Sequence, residues 1–420
     1  MFKHLLVAAT MMLPIASYAQ TTVQAIRASD FVNSLGVNTH LGWGNSSYTN
    51  TATVQKAIAY LGVRHVRDSI PFGTMVASMK MLHDQNGVTF DVVSHSAPLD
   101  LAADISGLMW MVQNAPGVID GFEGPNEFNA NDDHAPGILG GANSRNNFPW
   151  GPAANAYYYA GLRSHTALGG IRYVGVTTSN ASTAQAASMG DMSAHVDVSS
   201  WHTYFNNGEQ PYGHLARGYS NAHATAPSRP MWYTETGCTS SSETAYTWCG
   251  NAPADAKLML NVMADAVHVG GGRAYVYELL NNRLGTPALT DTEGGFGLFD
   301  GSGSPKHQAV ALHNLMSILA DSGSNFTPTS INYSVSNLPS GAQSMALQKS
   351  SGDTYLMFWA EPTGGVIPST VTVTLSARHA LSVYDPLFGA DPAGNTVTAD
   401  HISLAVSDHP VLVRIGAAVM

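Results

Sequence analysis

Two short segments contain residues whose types and placement could do chemistry. The segment GFEGPNEFN contains Glu127 and the segment MWYTETG contains Glu235, each at the end of a run typical of a β-strand. Hydrolysis of a glycosidic bond needs two carboxyl groups: one protonates the leaving oxygen, and the other attacks or stabilises the oxocarbenium-like centre. The pair therefore predicts acid and nucleophile chemistry on a glycoside, and a structural salt bridge is the alternative for either residue.

The residues beside these glutamates fit the same chemistry. A glutamate buried at a barrel mouth can hold a proton for the leaving group, and we expect this role for Glu127. The amide of Asn126 can hydrogen-bond a sugar hydroxyl. Glu123 is either an inward-facing partner of the site or a carboxylate that takes no part in the chemistry, a decoy for sequence reading. Trp232 and Tyr233 precede the second glutamate by three and two residues, and they predict an aromatic wall for a sugar subsite.

The elements that must position these residues form a repeating pattern. Eight β-like runs, each followed by a helix-compatible stretch, predict a (β/α)8 barrel. A doubly wound open sheet is the competing fold, but no glycine-rich dinucleotide fingerprint follows the first strand. In a barrel the site lies at the C-terminal ends of the strands, where both glutamates fall. The runs span residues 34–40, 63–69, 88–95, 117–124, 172–179, 196–204, 230–236 and 273–280.

The pattern changes after residue 322. Alternating apolar and polar runs divided by Gly, Pro, Asn and Asp turns predict an antiparallel β-sandwich over residues 323–420. We therefore expect a catalytic barrel over residues 20–322 and an accessory sandwich after it. Residues 20–33 could add a strand to that sandwich.

The first 19 residues and the overall charge bear on location and ligands. A charged start, a short apolar run and small residues before Gln20 predict a signal peptide cut after Ala19, with a buried first helix as the alternative. We expect a secreted or periplasmic protein with no membrane contact after cleavage. A formal net charge of −11 and only 11% charged residues disfavour nucleic acid and favour neutral, hydroxyl-rich ligands. A local arginine pocket could still admit a polyanionic sugar.

The two cysteines of the chain, Cys238 and Cys249, lie in one short segment. An oxidising compartment favours a disulfide between them, which would close a loop directly after Glu235. Two free thiols are the alternative.

Three of these segments together resemble a known group of enzymes. The Asn-Glu pair after strand four, the WH-x-Y segment ending strand six and TETG at strand seven are similar to clan A of the retaining glycoside hydrolases. With the sandwich and the run GGFGLFDGSGSPKHQA, the chain resembles family 39 and its neighbours, families 30 and 79. The resemblance implies that Glu127 is the acid/base and that Glu235 is the nucleophile forming a covalent glycosyl-enzyme.

The same resemblance implies roles for four further residues. Arg67 matches the strand-two arginine that keeps the nucleophile ionised, and an adjacent cation lowers the pKa of a carboxylate. Asn126 would bond the 2-hydroxyl of the sugar, while His202 and Tyr204 would orient the nucleophile and the sugar. The chain departs from the clan pattern at strand eight, where a tryptophan is common and the sequence reads YVYELLNN.

Several aromatic and polar residues could also contact substrate. His40 and Trp43, after strand one, could contact the nonreducing sugar, and a core role for His40 is the alternative. Trp150 is predicted on a mobile rim that shapes the cleft. Asp132 and Asp133 could bind calcium, although a plain polar loop fits their spacing better.

Two other classes of function stay open. A metallohydrolase could use strand histidines such as His40, His65, His95 and His202, although the sequence has no H-E-x-x-H spacing. A noncatalytic carbohydrate-binding or polysaccharide-assembly protein could keep the same barrel. The main prediction is an enzyme that needs no cofactor and no metal and whose partner is a polysaccharide or oligosaccharide.

Overall fold

The structure is a computed structural model, and it describes residues 20–95, 98–205, 209–240, 249, 254–283, 293–323, 325–361 and 368–419. The predicted signal peptide over residues 1–19 lies outside this part of the chain. No helix in these ranges is both long and apolar enough to cross a lipid bilayer.

Strands and helices alternate through the first three quarters of the chain, as the sequence predicts. The strands are β1 (Thr21–Gln24), β2 (Ile26–Arg27), β3 (Leu35–Asn38), β4 (His65–Ser69), β5 (Thr89–Val93), β6 (Ile119–Glu123), β7 (Arg172–Val174), β8 (Ser199–Tyr204), β9 (Met231–Gly237), β10 (Arg273–Val276), β11 (Ser330–Ser336), β12 (Ala342–Gln348), β13 (Thr354–Ala360), β14 (Ser369–Tyr384), β15 (Val397–Val406) and β16 (Val411–Ala418).

A short helix precedes the barrel, and one further helix follows each barrel strand. The helices are α1 (Ala28–Asn33), α2 (Thr51–Leu61), α3 (Met75–Asn86), α4 (Leu101–Asn114), α5 (Trp150–Arg163), α6 (Thr183–Met189), α7 (Tyr212–Thr225), α8 (Ala254–His268) and α9 (His307–Leu319).

Strands β3 to β10 form a closed parallel barrel. Seven neighbouring pairs run in parallel in the order β7, β6, β5, β4, β3, β10, β9, β8. A parallel bridge between Val174 and Val198 joins the remaining two edges. Closure removes the exposed edges that an open sheet would leave. The predicted (β/α)8 barrel is therefore confirmed, and the competing open sheet is excluded for this part of the chain.

Local signals set the ends of several helices. Gly62 and Gly87 follow α2 and α3 with φ of 72° and 66°, a left-handed conformation that glycine adopts without steric cost. Asn50 and Asp100 accept a backbone N–H at the start of α2 and α4. These caps fix where the chain leaves each helix and enters the next strand.

The barrel interior is packed below the site. Val174, Val198, Trp232 and Tyr275 form a buried apolar cluster inside the barrel. The guanidinium of Arg273 lies 4.1 Å from the ring centre of Trp232. This layer forms a solid floor beneath the residues at the strand ends.

The second sheet is antiparallel except where β2 meets β12. Its order is β1, β11, β14, β16, β13, β12, β2, and β15 pairs with β14. The register of β14 shifts between Thr374 and His379, so its first half pairs with β11 and its second half with β16. One sheet thereby forms two layers around a core that includes Leu356, Phe358 and Val413. The predicted sandwich is confirmed, and β1 and β2 belong to its sheet.

The sandwich packs closely against the barrel helices. Side chains of β13 alternate: Leu356 and Phe358 face the sandwich core, while Met357 and Trp359 belong to the large core shared with the barrel. The indole Nε1 of Trp359 donates to Asp265 Oδ1 of α8 at 2.8 Å. Burying both faces of β13 explains its uninterrupted apolar sequence.

Candidate active site

Glu127 lies in the turn that follows β6. Its φ of 43° is in the left-handed region, where a residue other than glycine costs about 1–3 kcal/mol. Its backbone N–H donates to Thr177 Oγ1 at 2.9 Å, which helps hold the turn in place. Such strained residues cluster at functional sites. The turn directs the carboxyl group of Glu127 to the C-terminal mouth of the barrel.

A bulge in β9 aims Glu235 at the same mouth. On β8, Trp201 pairs with Tyr233 but the next residue, His202, pairs with Glu235, so Thr234 is an extra residue in β9. The register against β10 shifts at the same place. A bulge of this kind re-aims the side chains that follow it. Glu235 therefore lines the cavity at the barrel mouth.

Arg67, near the end of β4, connects the polar residues of the site. Its Nε and Nη2 donate to the two oxygens of Glu123 at 2.9 and 2.8 Å. Its Nη1 donates to Glu235 Oε1 at 2.7 Å and to Asn38 Oδ1 at 2.9 Å. Its Nη2 also donates to Asn126 Oδ1 at 2.8 Å. Glu123 is therefore an inward-facing partner of the site rather than a decoy.

Two further side chains contact the glutamates. The hydroxyl of Tyr204 donates to Glu235 Oε2 at 2.8 Å. His202 Nδ1 lies 2.9 Å from Glu127 Oε1 and 3.5 Å from Glu235 Oε2. One ligand atom from each of Glu127, His202 and Glu235 lies within 4.8 Å of the others. An oxygen of each carboxyl group therefore lies within 4.8 Å of an oxygen of the other.

The surroundings favour a charged Glu235. Burial alone would raise the pKa of Glu235, but the positive charges of His202 and Arg67 and the hydrogen bond from Tyr204 hold its pKa below the ordinary value. Burial lowers the pKa of His202, yet the charges of the two glutamates raise it above its ordinary value. The site therefore stabilises an ionised Glu235 beside a protonated histidine.

A cavity of about 490 Å³ opens above these residues. Its size suits a single sugar ring, since small-molecule pockets begin at about 300 Å³. The lining residues are Asn38, Thr39, His40, Trp43, Arg67, Asp68, Ser69, Val93, Ser94, Asn126, Glu127, Ser179, Tyr204, Glu235, Tyr277 and Phe296.

His40 and Trp43 form an aromatic platform in the cavity wall. Their rings stack with centroids 3.8 Å apart, and Trp43 remains 42% exposed. His40 Nε2 lies 3.3 Å from Glu278 Oε2, which is fully buried behind it. Burial lowers the pKa of His40 to about 3, so this histidine is uncharged at neutral pH. Its ring also contacts Tyr277 edge-on, directly after β10.

Comparison with known proteins gives matches among solved structures only. No family model matches the chain, and no curated protein matches it. A family 39 glycoside hydrolase from Bacteroides cellulosilyticus WH2 has a TM-score of 0.63 at 14% identity, over 92% of this chain and 82% of that one. The fold resembles that of family 39 glycoside hydrolases.

Two other solved structures show the same likeness. A monomeric beta-xylosidase from Caulobacter crescentus CB15 has a TM-score of 0.59 at 13% identity, over 94% of this chain and 98% of that one. The catalytic domain of a family 30 xylanase C from Talaromyces cellulolyticus has a TM-score of 0.54 at 13% identity, over 96% and 98% of the chains. The expected resemblance to families 39 and 30 is confirmed at the level of fold.

Two predicted aromatic contacts are wrong. Trp150 does not lie on the rim of the cleft: it is fully buried at the start of α5, with its ring stacked on Phe128 at 5.4 Å. Trp232 forms no sugar wall, because it lies inside the barrel floor with Tyr275. Tyr233 is also buried, and its hydroxyl donates to Leu215 O. The bulge after Tyr233 separates these rings from the cavity.

The other histidines and acids of interest lie apart from the site. His65 is buried and contacts Asn33 and Thr89, and His95 pairs with Asp104. Asp132 forms an exposed salt bridge with Arg145, and the backbone N–H of Asp133 bonds Ser144. Within the described residues only His202 joins carboxylates in a group that could hold a metal ion.

The structure also adds residues that the sequence reading missed. Asn38 accepts from Arg67 and donates to two strand carbonyls, so it joins β3 to the site. Asp68 accepts from Thr39 Oγ1 at 2.5 Å and from the backbone N–H of Leu41 at 3.0 Å. The sequence signal for Asn38 was that it is a polar residue in an otherwise apolar strand. Phe296 lies in the run GGFGLFDGSGSPKHQA, which contributed to the resemblance but gave no role to a single residue.

The predicted disulfide between Cys238 and Cys249 is confirmed. Their Cα atoms are 5.2 Å apart, and both residues are buried. In a chain-entropy model, closing so short a loop is worth about 3 kcal/mol. The bond ties the segment that directly follows β9, which carries Glu235.

Proposed function

We propose that the protein is a glycoside hydrolase that cleaves glycosidic bonds with retention of configuration, using Glu127 and Glu235. The observation that carries this proposal is the spacing of the two carboxyl groups, whose oxygens approach within 4.8 Å at the floor of the cavity. Retaining enzymes hold their carboxyl groups about 5–5.5 Å apart, whereas inverting enzymes separate them by about 6.5–9.5 Å to admit a water molecule.

The surroundings of the two glutamates support different roles. Glu235 is the proposed nucleophile because Arg67 and Tyr204 bind its carboxylate and keep it ionised. Glu127 is the proposed acid/base, since its partner His202 can exchange a proton with it and Arg67 does not contact it. Two like side chains with unlike environments are the usual arrangement for paired acid and nucleophile roles.

The proposed reaction has two steps. Glu127 gives its proton to the glycosidic oxygen as the bond to the anomeric carbon breaks, and the Glu235 carboxylate forms an ester with that carbon. Glu127 then takes a proton from water, the water oxygen attacks the anomeric carbon, and the Glu235 carboxylate is released. Both steps pass through an oxocarbenium-like transition state.

Asn126 is the proposed ligand of the sugar 2-hydroxyl. Its Oδ1 accepts from Arg67, so the amide orientation is fixed and the NH₂ group is available to donate into the cavity. His40 and Trp43 are the proposed platform for the sugar ring, since aromatic faces stack against apolar ring faces.

We also propose that the protein is secreted or periplasmic. The leader over residues 1–19 and the disulfide support this location, because structural disulfides persist in oxidising compartments.

A metal-dependent hydrolase is the second candidate. Glu127, His202 and Glu235 offer ligand atoms within 4.8 Å of one another, which is the observation that favours it. Arg67 argues against it, because its guanidinium already lies 2.7 Å from Glu235 and would repel a metal cation.

One paired experiment separates these candidates. Wild type, Glu235→Gln and Glu209→Gln are incubated with a panel of glycans and aryl glycosides in the presence of a chelator, and NMR follows the anomer released first. Glu209 is an exposed control outside the cavity. We expect wild type and Glu209→Gln to release product with retained configuration and Glu235→Gln to lose at least about 10³-fold in rate. Loss of wild-type activity to the chelator, or activity in Glu235→Gln, would contradict the proposal.

A further inference from the structure

Among the described residues that line the cavity there is one arginine, Arg67, and all its N–H donors bond protein groups. A guanidinium has five N–H donors. In Arg67 two bond Glu123, one bonds Glu235, one bonds Asn38 and one bonds Asn126. No donor of Arg67 remains for a charged group on a substrate.

Within the part of the chain that the structure describes, no other cationic side chain lines the cavity. Among the lining residues the only other basic side chain is His40, whose pKa is lowered to about 3 by burial, so it carries no charge. His202 is not among the lining residues, and its Nδ1 is directed at Glu127 and Glu235, so any positive charge on it is already matched by these two carboxyl groups. The internal segments outside the described ranges contain no Lys, Arg or His: 96–97, 206–208, 241–248, 250–253, 284–292, 324 and 362–367.

Carboxyl groups surround this arginine. Glu127, Glu235 and Asp68 line the cavity. The pKa of Glu235 is held below its ordinary value, so it is the ionised member, whereas burial raises the pKa of Asp68 to about 7 and Glu127 is the proposed proton donor. Two further carboxylates lie directly behind the lining, with Glu123 on Arg67 and Glu278 beside His40. A second negative charge brought into this cavity would therefore meet carboxylates without a free counter-charge.

We infer that the cavity takes an uncharged glycosyl unit and excludes one that carries a carboxylate, such as a uronic acid. The inference rests on the proposed function and names its substrate class. A carboxylate at C-6 differs from a hydroxymethyl group mainly by its charge, so the discrimination is electrostatic. The sequence left open a local arginine pocket that binds anionic sugars. Arg67 does not form such a pocket, because its five N–H donors all bond protein groups.

Matched substrates test the inference directly. 4-Nitrophenyl β-D-glucopyranoside is compared with the β-D-glucuronide, and the β-D-galactopyranoside with the β-D-galacturonide, with the β-D-xyloside as a glycoside that lacks C-6. We expect kcat/KM for each neutral member to exceed that of its uronide by at least about 100-fold, because like charges placed together cost several kcal/mol. Equal or faster hydrolysis of a uronide would overturn the inference.

A gain-of-charge variant makes the electrostatic cause testable. Ser69 is exposed in the cavity wall and belongs to no proposed catalytic contact. Ser69→Lys adds a cation there, and Ser69→Met adds a side chain of similar length without charge. We expect the ratio of uronide to neutral kcat/KM to rise at least about 5-fold in Ser69→Lys and to stay unchanged in Ser69→Met. A rise in both variants would overturn the electrostatic explanation.

Binding separates this inference from the proposed function. Calorimetry measures the binding of D-glucose, D-xylose and D-glucuronate to the wild-type protein. These monosaccharides have no glycosidic bond to cleave, so the measurement does not depend on turnover. Tighter binding of the neutral sugars supports the inference even if no substrate is cleaved and the proposed function fails. Tighter binding of the uronates, or binding of no sugar at all, overturns it.

Discussion

The two carboxyl groups of the cavity have different neighbours. Arg67 and Tyr204 bond Glu235, while His202 bonds Glu127. Arginine is the residue best suited to keep a carboxylate ionised, because it stays charged at any physiological pH. The difference between the two glutamates therefore comes from Arg67 and Tyr204, which bond Glu235 and not Glu127.

Replacing Arg67 should change the pH dependence of the reaction. In Arg67→Lys a point charge replaces the five-donor fork, so several of its bonds are lost and the pKa of Glu235 rises toward its ordinary value or above it. Glu235 must be ionised to attack. We expect the acidic limb of the kcat/KM profile to move to higher pH by about one unit and the rate to fall about 100-fold.

The matched control for this prediction is Arg145→Lys. Arg145 forms an exposed salt bridge with Asp132 outside the cavity, and exposed pairs contribute little to stability. We expect its pH–rate profile to overlay that of wild type. An unshifted acidic limb in Arg67→Lys would show that Arg67 does not control the ionisation of Glu235.

Among the elements, β9 carries the decisive irregularity. Side chains of a regular strand alternate, so Trp232 and Thr234 would share one face and Glu235 would take the other. Trp232 lies in the barrel interior, yet Glu235 also lines the cavity inside the barrel. The extra residue Thr234 makes both placements possible.

Deleting Thr234 should lower activity without turning Glu235 out of the cavity. In the deletion Glu235 follows Tyr233 directly, so by alternation it stays on the same face as Trp232, but the local re-aiming by the bulge is lost. A misplacement of about 1 Å can cost about 10²-fold in rate, so we expect kcat/KM on the best neutral aryl glycoside to fall about 10²-fold, with circular dichroism to verify that the barrel persists.

Thr234→Val serves as the control for the deletion. It keeps the bulge and the side-chain volume, and it removes a buried hydroxyl that has no hydrogen-bond partner in the described structure. We expect near wild-type activity and unchanged or slightly higher stability, since burying an unpaired hydroxyl is costly. Full activity in the deletion would mean that the bulge does not position Glu235.

At the scale of the whole molecule, two acids meet where the sandwich packs on the barrel. Asp265 of α8 is fully buried, and Glu361 follows β13. Burial and the neighbouring carboxyl group raise the pKa of Asp265 well above its ordinary value, and burial raises that of Glu361. Two buried carboxyl groups in contact share a proton, because both cannot ionise at close range.

This pair predicts that stability falls as the pH rises. The folded state binds the shared proton more tightly than the unfolded state does. The contribution of the pair to the free energy of unfolding is therefore complete below the pKa of the unfolded state and is lost as the pH rises toward the pKa of the folded state. We expect the free energy of unfolding to lose up to about 1.4 kcal/mol per pH unit above about pH 4, before other groups are counted.

Urea denaturation of wild type and Asp265→Asn between pH 5 and 8 measures this slope. The asparagine cannot take up a proton. In Asp265→Asn we therefore expect the free energy of unfolding to depend less on pH and to be reduced less at pH 8. Asp84→Asn, at an exposed salt bridge with Lys80, should keep the wild-type slope. Parallel slopes in wild type and Asp265→Asn would show that the pair does not share a proton.

The sequence by itself determined the periodic parts of this protein. Eight strand and helix pairs could be read from alternating apolar patterns, because each strand and helix signals its own burial locally. Glu127 and Glu235 could be placed at one face, since the C-terminal ends of barrel strands all meet there. The pairing of Cys238 with Cys249 followed from their proximity in the chain and the predicted export.

Only the tertiary structure decided which side chains reach the cavity. The predictions for Trp150 and Trp232 were wrong because packing against Phe128 and the bulge in β9 override the local pattern. The bonds of Arg67 join residues from four different strands or the turns after them, and no sequence period relates them. Distances between such residues depend on register and barrel closure, which arise only when all eight strands pair.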